Sequence, residues 1–148
     1  MRLLDAAGLE YKIHCYAGSD AVSGLEVAKY LNEDPDRVFK TLVTKGRSGQ
    51  HFVFAIPVAA ELDLRKAAAA AGEKSIEMIK SKELLPLTGY IHGGCSPIGM
   101  KKPFPTFIDE TAQLYDTIIF SAGKIGWQVE MKPEDLRSYI GFEYGELT

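Results

Sequence analysis

Hydrophobic and polar residues alternate along this chain in short blocks, and each block has the period of a helix or a strand. In His51–Val58 every second residue, beginning with Phe52, is apolar, which predicts a strand with one strongly apolar face. A second apolar stretch, Val38–Thr44, precedes it, and the intervening Gly46–Gly49 is rich in turn-forming residues. The two segments therefore predict a β-hairpin.

Helix signals come as caps placed around short amphipathic stretches. Ser23 and Glu26 have the spacing of a capping box, which predicts a helix with Leu25, Ala28 and Leu31 on one face. Further signals are a short apolar helix ending at Gly8, Asp63 before Leu64–Ala71 with Gly72 after it, a helical turn at Ser81–Leu85, and a last helix between Pro133 and Gly141.

The remaining apolar blocks are short and extended. They predict strands at Tyr11–Tyr16, Tyr90–His92, Thr106–Ile108, Thr117–Ser121 and Trp127–Met131. Helices and strands follow one another without repeats or long linkers, and no Rossmann pattern is present. We therefore expect one α/β domain of the α+β type over residues 1–148, with a curled, mixed and largely antiparallel sheet surrounded by helices.

Composition narrows the class of protein. The 148 residues are 46% hydrophobic and 25% charged, with a net charge of −3, as expected for a soluble domain that does not coat nucleic acid through charge alone. The longest apolar stretch, Phe52–Ala60, contains a proline and is too short to span a bilayer. These features favour a cytoplasmic enzyme or binding domain. Lysine and arginine form several small clusters, which would count as a binding surface only if they converged on one face.

Metal and cofactor chemistry is not indicated. Cys15 and Cys95 are far apart, and the three histidines occur singly, so the usual spacing of metal ligands is missing. No phosphate-binding glycine motif is present either. We therefore expect neither a metal nor a cofactor.

Lys40 is the first residue that suggests chemistry. In a strand it stands between Val38 and Leu42, and the opposite face carries Phe39 and Thr41, so its surroundings are apolar on either face. A buried ammonium is unfavourable unless it is paired, which makes such a lysine a functional candidate. A lysine that extends to solvent at a sheet edge is an equally good interpretation of the pattern.

Two glycine-rich loops form the second candidate. The segment Thr88–Gly99 and the segment Ser121–Gly126 each follow a predicted strand and expose backbone N–H groups that can bind carbonyl oxygens or phosphates. Asp109 ends another predicted strand, where it either caps the following turn or orients a ligand. Tight turns without a ligand would have the same composition.

Covalent catalysis lacks its usual residues. Cys95 lies in the first glycine-rich loop, with His92 three residues before it, but no acid completes a triad. Ser96 has no nucleophile elbow around it. A serine, cysteine or zinc hydrolase of a common type is therefore not indicated.

Five segments in the same order resemble the YbaK family, also called the prolyl-tRNA-synthetase-associated editing domain. They are V-F-K-T-L at Val38–Leu42, P-V-A-A-E-L-D-L at Pro57–Leu64, T-G-Y-I-H-G-G-C-S-P-I-G at Thr88–Gly99, K-K-P-F-P-T-F-I-D at Lys101–Asp109 and S-A-G-K-I-G at Ser121–Gly126. The resemblance covers nearly the whole chain, with Cys95 at a variable position of its motif.

The resemblance implies a curled mixed sheet with helices around it and an activity that deacylates mischarged tRNA, above all cysteine on tRNA for proline. It implies the acceptor end of tRNA as the partner, with prolyl-tRNA synthetase as a further one. The implied catalytic residues are Lys40, Gly94 and Ser96. The implied substrate-binding residues are Tyr16, Thr41, Gly93, Pro97, Asp109, Ser121 and Gly123.

The implied mechanism needs no nucleophile from the protein. In the cysteine-editing branch the thiol of the substrate attacks its own ester carbonyl, and the protein holds the two groups together. Backbone N–H groups of the loop from Gly93 to Ser96 would stabilise the oxyanion. Two alternatives stay open: a deacylase for alanine or another small amino acid, which would activate water, and a non-catalytic regulator that binds tRNA or nucleotide.

Overall fold

A computed structural model describes residues 2–148, which form five helices, eight strands and one 3₁₀ helix. The helices are α1 (Arg2–Ala6), α2 (Gly24–Tyr30), α3 (Leu64–Ala71), α4 (Ser81–Thr88) and α5 (Pro133–Ile140), and the 3₁₀ helix is Glu110–Leu114. The strands are β1 (Lys12–Cys15), β2 (Phe39–Gly46), β3 (His51–Pro57), β4 (Ile76–Met78), β5 (Thr106–Asp109), β6 (Ile118–Ser121), β7 (Trp127–Met131) and β8 (Glu143–Gly145).

The strands form two sheets. The smaller has the order β1-β7-β6 and is antiparallel throughout. The larger has the order β4-β2-β3-β5-β8, in which β2 pairs antiparallel with β3 and β4, while β3, β5 and β8 run parallel. The predicted mixed, largely antiparallel sheet is therefore confirmed.

A single parallel bridge between Val38 and Ile119 joins the two sheets. On one edge of β2 the carbonyl of Val38 accepts from the N–H of Val58, and on the other the carbonyl of Arg37 accepts from the N–H of Ile119. Along this second edge, β6 contacts the chain at Val38, and β4 pairs with β2 from Thr44 onward. The stretch of β2 between these two contacts has no neighbouring strand on that edge.

Apolar clusters fill both faces of the larger sheet. The cluster between the two sheets contains Phe39, Ile108 and Phe120, and α3 packs its alanines against Phe54 and Ile56 on the opposite face. Both faces of β3 are thus buried, although the sequence predicted one strongly apolar face.

Most of the helix caps are confirmed. Ser23 and Glu26 form a capping box, Asp63 accepts from the N–H groups of Arg65 and Lys66, and Gly72 ends α3 in the left-handed region. The face of α2 differs from the prediction, since Val27 and Ala28 are buried whereas Leu25 is half exposed.

The predicted strand Tyr90–His92 is wrong. α4 continues to Thr88 and ends at Gly89, whose φ of 83° turns the chain away from an extended path. The N–H of Tyr90 then donates to the Thr88 hydroxyl and not to a neighbouring strand. The first glycine-rich loop therefore follows a helix. The sequence also missed β4 and β8, which have three residues each and lack a clear alternation.

No helix within residues 2–148 has the length and apolar character needed to cross a membrane.

Candidate functional site

Lys40 and Ser121 lie on one face at the junction of the sheets. Lys40 is opposite Ile56 on β3 and shares its face with Val38, two residues before it. Because Val38 bridges Ile119 in parallel, Ser121 follows two residues beyond the bridge on the same face. Lys40 is half-buried, and its ammonium forms no hydrogen bond or ion pair with any of residues 2–148. The structure thus brings together two of the predicted site residues.

Thr41 has a buried hydroxyl without a partner. Within residues 2–148, its Oγ1 is the buried polar side-chain atom that no hydrogen-bond partner satisfies. Thr41 lies between Phe39, which belongs to the same apolar cluster as Ile98, and Val43, which belongs to the same cluster as Cys95. The first glycine-rich loop therefore packs on this face. An unsatisfied buried hydroxyl destabilises a fold by about 1–3 kcal/mol. Such an atom is the expected contact for a bound ligand.

The backbone N–H and C=O of Thr41 lie at an open edge of β2. Hydrogen-bonding directions alternate along a strand, and the carbonyls of Arg37 and Val38 show which edge each residue faces. By this alternation the N–H and C=O of Thr41 point to the edge of β2 that has no strand beside it. The site is therefore an open strand edge next to Lys40.

The first loop contributes a second unpartnered polar group. Ser96 has no exposed surface, and its N–H has no acceptor among residues 2–148. Its Oγ accepts from the N–H of Ile98 at 3.2 Å, which fixes the hydroxyl within the loop. The buried Pro97 holds the chain between these two residues. The Ser96 N–H is thus buried without an acceptor, whereas its hydroxyl oxygen already has a donor.

Gly94 and Gly93 shape this loop. The N–H of Gly94 donates to the carbonyl of Ile91 at 3.0 Å, so the predicted oxyanion contact from Gly94 is already used inside the loop. Its missing side chain matters in another way, since a Cβ there would lie 3.3 Å from the Ile125 backbone nitrogen. Gly93 has a φ of 86°. The two glycines therefore allow a close approach between the two glycine-rich loops.

Tyr90 connects the same two loops. Its hydroxyl donates to the carbonyl of Ile98, and its ring covers Gly123, where a Cβ would lie 2.9 Å from Cε1. Gly123 has a φ of 97°, and its N–H donates to the Ser121 hydroxyl at 3.1 Å. Burial, followed by the nearby Cys95 thiol, raises the pKa of Tyr90, so the hydroxyl stays protonated as a donor.

Tyr16 reaches the second loop from β1. Its N–H donates to the Gly126 carbonyl at 2.8 Å, and its side chain is nearly buried. A Cβ at Gly126 would lie 3.0 Å from that of Ala17. The structure therefore places Tyr16 beside the loop that begins at Ser121.

The Asp109 carboxylate forms its hydrogen bonds within the fold. Its carboxylate accepts from the N–H of Leu147 at 2.9 Å and from the N–H and hydroxyl of Thr111 at 3.3 and 2.6 Å. The predicted cap of the following turn is confirmed. Asp109 is 1% exposed, and Ile56 lies between it and Lys40 in the sheet. Its role in binding a substrate remains a prediction to which these contacts add nothing.

Cys95 is not set up as a nucleophile. It is buried among apolar residues, including Val43, Val53 and Leu84. This burial raises the pKa of the thiol to about 12, so only a negligible fraction is thiolate near neutral pH.

Sequence reasoning missed a polar network behind the site. Glu33, which follows α2, lies 3.0 Å from the side-chain nitrogen of Gln128, and His14 contacts Glu130 at 2.7 Å. Burial raises the pKa of Glu33. Burial also acts upward on the pKa of Glu130, but hydrogen bonds from Thr117 and His14 leave it lowered. His14, Gln128 and Ser121 form one row across the small sheet, so the network supports the site from the side. Only the pairing of distant strands reveals it.

A separate cleft lies away from the candidate site. It encloses about 730 Å³ and is lined by Tyr11, Lys12, Ile13, Glu130 and Lys132, among others. No predicted site residue lines it.

Comparison with known proteins gives consistent matches. Residues 19–139 match the family described as the aminoacyl-tRNA editing domain. An Enterococcus faecalis protein, provisionally named Cys-tRNA(Pro)/Cys-tRNA(Cys) deacylase EbsC, is 47% identical over 149 residues, which cover all of this chain and 91% of that protein. A proline–tRNA ligase of Thermosipho africanus is 37% identical over 78 residues, covering 52% of this chain and 14% of the ligase.

Solved structures agree on the fold. A provisionally assigned trans-editing enzyme for prolyl-tRNA synthetase has a TM-score of 0.88 at 24% identity, covering 99% of this chain and 92% of that one. A hypothetical protein has a TM-score of 0.89 at 20% identity, covering 99% and 96%.

We predict that Asp109→Ala lowers the free energy of unfolding by about 3 kcal/mol, because three donors lose their acceptor. Urea denaturation measures the change. Asp116→Ala removes an exposed carboxylate nearby and should change stability by less than about 0.5 kcal/mol. An Asp109→Ala protein as stable as the wild type would contradict the structural role.

Proposed function

The chain belongs to the aminoacyl-tRNA editing domain family, and we propose that it acts in trans to remove cysteine from mischarged tRNA for proline. The proposal takes the acceptor end of the tRNA as the part that enters the site. It also takes the cytoplasm as the location and prolyl-tRNA synthetase as the source of the mischarged tRNA.

The full-length likeness to EbsC supports cysteine as the amino acid, since that relative is named for deacylation of Cys-tRNA(Pro) and Cys-tRNA(Cys). The partial match to proline–tRNA ligases supports proline as the tRNA identity. The ligases match about half of this chain, so they are weaker support for a shared site than the full-length relative is.

One observation favours a mechanism that uses the substrate thiol. The cysteine of the site loop has a pKa of about 12, and the Ser96 hydroxyl is buried, so neither is an activated nucleophile. In cysteinyl-tRNA the substrate sulfur can form a bond to the ester carbon. The bond from that carbon to the 3′-oxygen then breaks, and the 3′-oxygen receives the thiol proton. The products are a cyclic thioester of cysteine and free tRNA.

The two unpartnered groups fit this reaction. The Ser96 N–H, one of the loop donors predicted for this role, would donate to the carbonyl oxygen as it gains negative charge. The Thr41 hydroxyl would hold the aminoacyl group on the opposite side. Lys40 lies on the other face of β2 from Thr41, so its ammonium would reach past the open strand edge to stabilise the leaving 3′-oxygen or a terminal phosphate. Tyr16 and Ser121 would line the pocket beside it.

We predict that Lys40→Ala reduces single-turnover release of cysteine by about 100-fold, since a charged contact to the leaving oxygen is worth about 3 kcal/mol in the transition state. Cys95→Ala should stay within about threefold of the wild type. The measurement is loss of labelled cysteine from tRNA for proline, with unfolding curves recorded for both variants. Full activity in a folded Lys40→Ala protein, or loss of activity in Cys95→Ala, would contradict the proposed mechanism.

We also predict opposite effects for the same substitution at two positions of β2. Thr41→Val should leave stability unchanged or raise it by about 1 kcal/mol, because it removes an unsatisfied hydroxyl, and should lower deacylation about tenfold. Thr44→Val removes a hydroxyl that donates to the Phe52 carbonyl at 3.0 Å, so it should lower stability by about 1 kcal/mol and spare activity. Equal effects of the two substitutions on deacylation would argue against a substrate contact at Thr41.

A further inference from the structure

Charge is divided unequally between two parts of the fold. We call residues 38–60 and 73–105 the hairpin half, which holds β2, β3, β4, α4 and the first glycine-rich loop. It carries eight lysines and arginines and three acids, a net charge of +5, whereas the rest of the chain carries nine and seventeen, a net charge of −8. The total of −3 conceals this division.

The hairpin half is one packed unit. β2, β3 and β4 are neighbours in the larger sheet. α4 and the loop pack against β2 and β3 in one cluster that contains Val43, Val53, Leu84 and Cys95. The positive charges therefore belong to one packed unit, which also contains Lys40 and Ser96.

The cations of this half are available to a partner. Seven are exposed, and none forms an ion pair with any of residues 2–148. They are Lys45, Arg47, Lys74, Lys80, Lys82, Lys101 and Lys102. In the rest of the chain three of the nine cations, Arg37, Lys66 and Arg137, pair with carboxylates.

The acids of this half are largely engaged. Glu73 accepts from the N–H and the hydroxyl of Ser48, at 3.0 and 2.9 Å, and so holds the hairpin turn. Glu83 accepts from the N–H of Lys80 at the start of α4. Glu77 remains, opposite Lys45 on the neighbouring strand.

A cleft marks the end of the hairpin half that lies away from the site. It encloses about 430 Å³ and is lined by Lys45, Gly46, Arg47, Ser75 and Glu77. Two cationic side chains and a hydroxyl are suitable donors for a phosphate group. Arg47 is anchored through its backbone N–H, which donates to the Ser75 carbonyl at 3.1 Å, so its side chain is free to bind.

The spacing along β2 suits an RNA strand. Lys45 is five residues beyond Lys40, about 17 Å along an extended strand. Because side chains alternate along a strand, the two lysines point to opposite faces of β2, so an RNA strand that contacts both must cross from one face to the other. At about 3.4 Å of axis for each stacked nucleotide, this distance corresponds to about five nucleotides. A tRNA whose terminal ester lies at Lys40 would thus bring the phosphates where its acceptor stem begins to the cleft.

We propose that the exposed cations of the hairpin half, with the Lys45–Arg47 cleft at their end, bind the phosphate backbone of the tRNA acceptor stem. The inference rests on the proposed function for the position of the 3′ end. The binding surface itself can be tested without any turnover, because uncharged tRNA carries the same phosphates.

The experiment measures binding of an uncharged tRNA for proline by fluorescence anisotropy over a range of salt concentrations. The double variant Lys45→Ala/Arg47→Ala should bind about tenfold more weakly at ~0.1 M salt, and the slope of log affinity against log salt should fall by about 1 to 2. The matched control is Lys12→Ala/Lys132→Ala, which removes two exposed cations outside the hairpin half and should bind as the wild type does.

A third variant tests the sign of the charge. Glu77→Gln removes the negative group from the cleft and should tighten binding about threefold, with a larger effect at low salt. Each variant is also assayed for release of cysteine from an aminoacylated CCA trinucleotide, which is too short to reach the cleft. Wild-type rates on this substrate are expected from the Lys45→Ala/Arg47→Ala protein.

Several outcomes would contradict the proposed binding surface. They are an unchanged salt slope in the Lys45→Ala/Arg47→Ala protein, an equal loss in both double variants, or an effect seen only when prolyl-tRNA synthetase is present, which would indicate a protein partner. If no protein released cysteine but the binding results were as expected, the proposed function would fail and the surface would stand.

Discussion

The bridge between Val38 and Ile119 is the constraint on which the site depends. It joins the two sheets at the residue before β2 and then ends, while β4 pairs with β2 only from Thr44 onward. The edge between these contacts is open, and Lys40 and Thr41 lie on it. A longer ladder to β6 would satisfy the backbone of this stretch and close the opening. The same bridge places Ser121 on the face of Lys40.

The candidate site contains buried polar groups that have no hydrogen-bond partner. Buried polar atoms in native proteins nearly always have partners, yet the Thr41 hydroxyl and the Ser96 N–H have none within residues 2–148. The two lie on elements that pack face to face. A substrate that presents a carbonyl oxygen and an amino group between them would supply the missing hydrogen bonds. In the proposed mechanism these two groups would stabilise the transition state without an activated serine or cysteine.

The sequence predicted local features well and long-range ones poorly. The caps at Ser23 and Asp63 and the hairpin depend on neighbouring residues, so their patterns were sufficient. The strand predicted at Tyr90 failed because Gly89 turns the chain at the end of α4 and the Tyr90 ring then packs against Gly123, a contact that no local pattern indicates. Lys40 was predicted from its apolar strand and Thr41 from the family resemblance, whereas the network of His14, Gln128 and Glu33 depends on strand pairing. The grouping of lysines on the hairpin half likewise needed the fold.

The most direct test of the account concerns the thiol of the substrate. Single-turnover release should be compared for cysteinyl-tRNA and for the same tRNA carrying S-methylcysteine, whose sulfur cannot lose a proton to the leaving oxygen. Methylation keeps most of the shape of the side chain, so binding should be similar. The account predicts that release falls by at least about 100-fold, because the intramolecular nucleophile is lost. Comparable rates for the two substrates would contradict it and show that the protein activates water.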